Sequence, residues 1–553
     1  MILYKKIFYI LTAGLMLLAT GCKKYLDVNK NLNDPTKVPV SIVLTSAQLQ
    51  IGLALAYNGG LSDGLSVYMH QQSTREEPDQ YGMNGNDFII TTSWSTLHYA
   101  ITDLDVVINQ GTAEGRFVYA GIAKILRAYA FSQMVDAWGD IPFSEFNRFK
   151  DGIKQPKFDD DATIYPQLIA LIDAGIADIN NPAINPSRPG ADDAIYSGNT
   201  GRWIKAANTL KLKLYTQLRK IQNVTPQVTA LLANPANLIN AANESFVMPF
   251  GTALLTDRNP GFADYSAGQR SQHVSPWLYE IMKGYNPVFS GITDPRIPYY
   301  IFNQLRANGA APNATEYRDG GFISLYFGSV GPNRNGSQQT GISLFGIYPV
   351  GGRYDDGQGG TASNASGTGA APYKLITYAD RLYLEAELIN TGVVPGDGRA
   401  VFSAAMAASM AQVDYVITNY IKPTQAVPAL GVQTAFINSI LGLYDAGSTA
   451  KKLEYIMTQK WLASVGSSVD QYTDYRRTGY PVLFDPRNTA MAPGGNVQPP
   501  LNGNAFVIPQ LAVPVQLGNN FPLSLPWSQA ELELNGKAPA QKTPDSYKVF
   551  WMP

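Results

Sequence analysis

Aromatic, carboxylate and guanidinium side chains gather in two stretches that are rich in Gly and Asn, residues 58–92 and about 245–371. The flat faces of Tyr and Trp suit the C–H face of a sugar ring, while carboxylates and guanidinium groups suit its hydroxyls. Loops rich in these residue types would meet the needs of a carbohydrate-binding site. The candidate ligand-binding residues are Tyr68, Tyr81, Asp87, Asp264, Tyr265, Arg270, Trp277, Tyr285 and Tyr326. For any one of these aromatic residues taken singly, core packing or the fixing of a loop is the more common role.

Signatures of catalysis and of metal binding are missing from the sequence. His70, His98 and His273 fit no zinc spacing, and the single cysteine, Cys22, allows neither a thiolate cluster nor an intrachain disulfide. No G-x-S-x-G, H-E-x-x-H or P-loop pattern occurs. We therefore predict no catalytic residue, no metal site and no cofactor, although calcium held by loop oxygens would leave no clear sequence trace. A glycoside hydrolase that uses paired carboxylates, such as those at 192–193 or 355–356, stays open as an alternative.

The amino terminus resembles a bacterial lipoprotein signal. Lys5 and Lys6 precede an apolar run of about 14 residues, which is too short to span a bilayer comfortably. Small residues then lead directly to Cys22. We therefore predict that residues 1–21 are a signal peptide and that acylation of Cys22 holds the protein on a membrane surface. The alternative is an ordinary signal peptide followed by an incidental cysteine. The net charge of −1, without a basic stripe, argues against nucleic acid as a partner.

Segments with helical periodicity flank the two loop stretches and must position them. In the central segment, 117–138, apolar residues recur at intervals of three and four, and small residues cover much of the remaining surface. This pattern is typical of a helix buried among other helices. Its polar exceptions, Lys124, Arg127 and Asp136, are predicted to pair with neighbours. The other predicted helices are 41–57, 93–110, 161–180, 202–220, 372–389, 399–421, 434–443 and 451–465.

The predicted fold class is mostly α, with long irregular ligand-binding loops and little β-structure. Consecutive helices joined by short Gly/Pro turns, with Ala at their contacts, predict tetratricopeptide-like helix pairs in an α–α superhelix. We predict a single domain over residues 22–553. Its helical scaffold would comprise 41–220 and 372–480, and its loop-rich ligand-binding part would span about 245–371.

Several of these segments together resemble the SusD/RagB family of outer-membrane nutrient-binding lipoproteins. They occur in the order of that family and extend from Cys22 to near the end of the chain. At Leu525-Pro526-Trp527 the sequence departs from the pattern, which leaves the packing of the C-terminal segment open. The segments that carry the resemblance are YLDVNKNLNDPT, LRAYAFSQMVDAWGDIPFSE, RWIKAANTLKLKLYTQLRK, ITYADRLYLEAELINTGVVPGDGRAVFSAAMAASM, EYIMTQKWLASVGSSVDQYTDYRRTGYPVL and VPVQLGNNFPLSLPWSQAELELN.

The resemblance implies a lipid-anchored protein exposed at the cell surface on the outer membrane. Such proteins capture oligosaccharides or, in some members, peptides, and deliver them to a partner TonB-dependent transporter of the SusC type. No reaction is catalysed. A purely structural helical-repeat scaffold is a further alternative, but it leaves the aromatic loops unexplained.

An adjacent arginine pair, Arg476-Arg477, lies in the segment TDYRRTGYP. Such a pair could bind the carboxylate of a ligand. Because the segment resembles a family signature, we predict a structural role instead, in which the pair binds an acidic helix residue such as Glu385 or Glu387.

Overall fold

The structure, a computed structural model, describes residues 38–553 except 76–78, 184–185, 271, 311–315, 331–338, 493, 495 and 498–512. The predicted signal peptide and Cys22 lie outside the described residues.

Helices make up 49% of the described chain and strands only 6%, which confirms the predicted mostly α fold class. Those of the amino-terminal part are α1 Val40–Leu55, α2 Leu61–Tyr68, α3 Phe88–Ala113, α4 Phe117–Trp138, α5 Asp161–Ile179, α6 Thr200–Leu218 and α7 Thr225–Leu232. Those that follow are α8 Pro276–Lys283, α9 Ile297–Tyr300, α10 Ile347–Val350, α11 Tyr378–Asn390, α12 Gly398–Val416, α13 Thr434–Ala446, α14 Thr449–Ala463, α15 Val469–Thr478 and α16 Gln529–Leu534.

The strands are short and form two-stranded antiparallel pairs. In chain order they are β1 Gln72–Thr74, β2 Ile141–Pro142, β3 Phe158–Asp159, β4 Phe246–Met248, β5 Gln272–Val274, β6 Ile301–Phe302, β7 Tyr317–Asp319, β8 Phe322–Ser324, β9 Leu344–Phe345, β10 Tyr373–Ile376, β11 Asn496–Val497 and β12 Val513–Pro514. The pairs are β1–β5, β2–β3, β4–β10, β6–β9, β7–β8 and β11–β12. Most of these pairs link one loop to another. They hold the irregular stretch of about 245–371 in place, and no larger sheet forms among the described residues.

The central helix is α4, which packs on α3 and α5 and buries all its residues except Phe117, Lys124 and Arg127. Glycine permits the closest of these contacts, because a Cβ atom on Gly121 would lie 2.6 Å from the carbonyl oxygen of Gly175 in α5. The small residues that the sequence places on this helix therefore allow backbone-to-backbone packing.

The polar exceptions of α4 are paired, as predicted. Lys124 Nζ lies 2.7 Å from Asp178 Oδ2, and Arg127 Nε lies 2.7 Å from Asp105 Oδ1. The buried Asp136 accepts hydrogen bonds from the Tyr165 hydroxyl at 2.5 Å, from Gln217 Nε2 at 2.9 Å and from Trp551 Nε1 at 3.0 Å. Burial raises the pKa of the Asp136 carboxyl to about 6.

A buried ion cluster joins α6, α11 and α15. Arg477 binds both carboxylate oxygens of Glu387, with Nη2 2.8 Å from Oε2, and Arg219 Nε lies 2.7 Å from Oε1. The prediction that the arginine pair binds an acidic helix residue is confirmed for Arg477. Arg476 instead donates to the Leu523 carbonyl oxygen at 2.8 Å and lies over the Tyr472 ring.

One segment differs from its predicted secondary structure. Residues 372–377 were predicted as helix, but Tyr373–Ile376 forms β10, which pairs with β4. The helix begins only at Tyr378, where Thr377 and Asp380 form a reciprocal capping box. Pairing with a distant strand therefore overrides the helical pattern of these residues.

Candidate functional site

A cavity of about 290 Å³ lies where α8, α14 and the segment after α15 meet. Its wall is mainly apolar and aromatic, with Trp277 at the start of α8, Phe327 in the loop after β8, and Phe484 beyond α15. The remaining lining residues are Ser275, Pro276, Glu280, Ile281, Tyr285, Asn286, Pro287, Val288, Tyr326, Lys451, Glu454, Thr458, Pro481, Val482 and Met491.

The local sequence fixes Trp277 at the cavity wall. Ser275 caps α8 by accepting a hydrogen bond from the Trp277 amide at 3.2 Å, and Pro276 occupies the first turn, where its missing N–H is not needed. Gly284 ends the helix in the left-handed conformation. The indole Nε1 of Trp277 donates to the Val482 carbonyl oxygen at 3.1 Å, which ties α8 to the segment after α15 and holds the ring in place.

The cavity brings together three of the nine predicted ligand-binding residues, Trp277, Tyr285 and Tyr326. The Tyr285 hydroxyl donates to Asp319 Oδ2 at 2.9 Å, so it is oriented. Tyr326 is only 5% exposed, and its buried hydroxyl has no hydrogen-bond partner among the described residues. A buried hydroxyl in that state is costly unless another group satisfies it.

The three predicted residues of the first loop stretch lie outside the cavity lining. Tyr68 and Tyr81 are buried, and the Tyr68 hydroxyl donates to the Tyr81 carbonyl oxygen at 3.3 Å. Tyr81 packs one layer behind the wall, with its ring centroid 5.0 Å from that of Phe327. His70, hydrogen-bonded to the Tyr81 hydroxyl, stacks on the same Phe327, and burial lowers its pKa to about 3.

Asp87 accepts hydrogen bonds from the amide and the side chain of Asn84, so it holds the turn before α3.

Asp264, Tyr265 and Arg270 also fix a loop outside this cavity. The Tyr265 hydroxyl donates to the Phe345 carbonyl oxygen at 2.9 Å and accepts from the Arg353 amide at 2.9 Å. Arg270 donates to the backbone carbonyl oxygens of Asp264 and Tyr265. Ligand binding by these three residues, and by those of the first loop, stays a prediction.

Glu280, Lys451 and Glu454 line the cavity but were not predicted from the sequence. Glu280 is 9% exposed, and burial raises its pKa to about 8, although the nearby Tyr317 hydroxyl favours the ionised form. Lys451 Nζ lies 2.6 Å from Glu454 Oε2. The one sequence signal for Glu280 is a single carboxyl in the otherwise mainly apolar run PWLYEIMK.

Comparison with known proteins assigns the family. The profile of a SusD-like family, described as "Starch-binding associating with outer membrane", matches residues 32–501. The chain belongs to this SusD-like family. The resemblance found in the sequence is thereby confirmed.

Solved structures share the fold of this SusD-like protein. A SusD homologue from Bacteroides fragilis has a TM-score of 0.63 at 16% identity, covering 90% of this chain and 94% of its own. A SusD/RagB family protein from Bacteroides thetaiotaomicron has a TM-score of 0.62 at 18% identity, with coverage of 93% and 99%. A chitin-binding protein has a TM-score of 0.64 at 19% identity, with coverage of 90% and 94%. A search of curated proteins by sequence found no match.

The carboxylate pair at 192–193 of this SusD-like protein has structural partners. Asp193 accepts from Trp203 Nε1 at 2.7 Å and from Gln48 Nε2 at 2.7 Å, and Asp192 accepts from the Tyr119 hydroxyl at 2.8 Å. Within the described residues, no group of three or more His, Cys, Asp or Glu side chains is placed to hold a metal ion. The cavity wall thus offers a ligand an aromatic surface and a few hydrogen-bonding groups, and the pair at 192–193 is not part of it.

Proposed function

We propose that this SusD-like protein captures carbohydrate at the cell surface in the cavity beside Trp277 and delivers it to a TonB-dependent outer-membrane transporter. The observation that carries the proposal is that the partly buried indole of Trp277, held by its bond to Val482, lines the same cavity as Tyr326, whose buried hydroxyl has no partner among the described residues. An aromatic face and hydrogen-bonding groups in the same cavity are what a sugar ring needs. The family's description as starch-binding and the fold shared with a chitin-binding protein support the same ligand class.

The size of the cavity favours a short ligand segment. Its volume of about 290 Å³ is near the lower end for ligand sites, which range from about 300 to 1,000 Å³ for drug-sized molecules. We infer that it takes one or two rings of an oligosaccharide, and that the rest of the chain stays outside.

A glycoside hydrolase is the second candidate, because two carboxyls, Glu280 and Glu454, line the same cavity. Hydrolysis needs one of them as a free base or nucleophile. Glu454 is instead held by Lys451 at 2.6 Å and is largely buried. We therefore propose binding without turnover, and analysis of incubated oligosaccharides for shortened products tests it directly.

Replacing Trp277 by alanine is expected to weaken oligosaccharide binding about tenfold or more, because partly buried aromatic anchors often contribute about 2 kcal/mol to binding. Calorimetry on the soluble form that begins just after Cys22, against a panel of starch, chitin and fructan oligosaccharides, measures the change. Tyr99→Ala is the matched control, since Tyr99 is 65% exposed on α3 and does not line the cavity. Equal affinity of wild type and Trp277→Ala for a bound glycan would place the site elsewhere.

Replacing Cys22 by alanine is expected to move the protein from the membrane fraction to the soluble fraction, since acyl chains on that thiol would be the anchor. Cell fractionation followed by immunoblotting measures the distribution. A variant with an ordinary secretory signal in place of residues 1–21 is the control for export. Retention of Cys22→Ala in carbonate-washed membranes would show that another element anchors the chain.

A further inference from the structure

Acidic side chains outnumber basic ones in the described lining of the cavity. Among its described lining residues the charged side chains are Glu280, Lys451 and Glu454, and the single ammonium group is already paired with Glu454. Behind the wall, Asp319 of β7 adds a further carboxylate beside the Tyr285 hydroxyl. An anionic ligand would therefore meet carboxyl groups and would find no unpaired cation in this lining.

The Glu280 carboxyl is best accommodated without charge. It is 9% exposed, and the titratable groups that act on it are Tyr317 and Asp319 of β7 and Tyr326. The Lys451–Glu454 pair of α14 lines the same cavity. An ionised carboxylate buried without a cation of its own costs several kcal/mol, whereas a protonated one can donate a hydrogen bond. In agreement, burial raises the pKa of Glu280 to about 8.

We propose that the Trp277 cavity selects uncharged, hydroxylated rings and rejects rings that carry a carboxylate or a sulfate, with Glu280 and Tyr326 as its specificity-determining residues. The inference rests on the proposed function and narrows its ligand class. The Tyr326 hydroxyl and the Glu280 carboxyl offer hydrogen bonds to neutral ring oxygens. The same two groups give an anionic substituent no compensating charge.

The direct test compares a neutral oligosaccharide with its acidic counterpart. The tightest-binding neutral glycan of the panel is oxidised so that its primary hydroxyls become carboxylates, and both forms are titrated by calorimetry at pH 6.5. We expect the oxidised form to bind at least tenfold more weakly. The inference would be overturned if the oxidised form bound wild type as tightly as the neutral form or more tightly. If Trp277→Ala abolished that binding, the proposed function would still stand. Binding of neutral glycans that Trp277→Ala does not affect would overturn the proposed function itself.

A cationic ligand is the rival outcome. Chitosan trisaccharide, which carries ammonium groups, is titrated beside its N-acetylated form at the same pH. Tighter binding of the ammonium form would mean that Glu280 is ionised in the complex, and the cavity would then be a cation site.

Glu280→Gln isolates the role of the proton, because glutamine keeps the size and a donor but cannot ionise. We expect wild-type affinity for the neutral glycan to fall as the pH rises through about 8, and the variant to lack this fall while losing less than tenfold at pH 6.5. Tyr326→Phe should weaken binding severalfold without altering the pH profile. If Glu280→Gln kept the wild-type pH profile, or lost more than tenfold in affinity at pH 6.5, that result would contradict a protonated Glu280.

A measurement without ligand tests the protonation state even if no glycan on the panel binds. Between pH 4.5, the ordinary pKa of a glutamate, and about 8, folded wild type keeps a proton that the unfolded chain has lost. The contribution of Glu280 to stability must therefore fall with rising pH across that window. We expect the melting temperature of Glu280→Gln, relative to wild type, to rise across this window and to level off above it. A difference in melting temperature between Glu280→Gln and wild type that stayed constant across this pH window would overturn the inference.

Discussion

Replacing Glu387 by alanine is expected to lower the free energy of unfolding by about 3 to 5 kcal/mol, because it removes the buried carboxylate that Arg219 and Arg477 share. The side chains of Arg477 and Glu387 are 0% exposed, and that of Arg219 is 7% exposed. Without this carboxylate Arg219 loses its ion pair, and Arg477 keeps only Asp474, which it shares with Lys460. Urea denaturation of the soluble form, followed by helical circular dichroism, measures the loss.

Asp445→Ala provides the matched control, since it also removes a carboxylate from an arginine. Its partner is Arg399, and the two side chains are 51% and 49% exposed. Exposed pairs contribute about 0 to 1 kcal/mol, so this variant should be close to wild type. If the two variants lost the same stability, burial would not be what makes the Glu387 cluster important.

The stabilisation by Glu387 also has a defined pH dependence. Burial alone would raise the pKa of Glu387, but the charges of Arg477 and Arg219 outweigh it and hold the pKa at about 2, below its ordinary 4.5. When folding lowers the pKa of an acid, its stabilisation is complete at pH values above its pKa in the unfolded chain. The stabilisation is lost as the pH falls through its pKa in the folded protein. The difference between wild type and Glu387→Ala should therefore shrink as the pH falls from about 4.5 toward about 2.

The helical scaffold could be predicted because its signal is local. The segment 117–138 has the periodicity of a buried helix, and α4 has the same bounds. The pairing of Lys124 and Arg127 also followed from a general rule, since charges near a core need partners. Residues 372–377 show the limit of this reasoning. Their conformation is determined by pairing with strand β4, which is more than a hundred residues away in the sequence.

The cavity could be predicted only in part, because its wall is assembled from segments far apart in the sequence. Trp277 and Tyr285 lie near α8, Tyr326 follows β8, and Glu454 belongs to α14. Loop composition identified three lining aromatics, but it could not separate them from aromatics that fasten loops. Tyr265, for example, lies in the same loop-rich stretch as Trp277, yet its hydroxyl forms hydrogen bonds with two backbone groups in the core.

Replacing Trp138 by alanine is the second change expected to have a large effect, with a loss of about 3 to 5 kcal/mol in the free energy of unfolding. Trp138 is 0% exposed at the end of α4, and its ring packs edge-on against Trp94 at 5.3 Å between centroids. Its Nε1 donates to the Pro526 carbonyl oxygen at 3.0 Å. The substitution therefore removes both a core side chain and a link to the C-terminal segment. Urea denaturation measures the loss.

The link to Pro526 gives this prediction a second readout. The sequence at 525–527 departs from the family pattern, yet the Leu525 amide donates to the Ala137 carbonyl oxygen at 2.8 Å and Trp527 Nε1 donates to that of Asp140 at 2.8 Å. Trp138→Ala should therefore make the C-terminal segment more sensitive to limited proteolysis. Trp138→Phe, which keeps much of the packing but lacks the indole N–H, should lose about 1 to 3 kcal/mol for the unsatisfied Pro526 carbonyl. Full stability and unchanged proteolysis in the alanine variant would mean that the contacts of Leu525 and Trp527 hold this segment without Trp138.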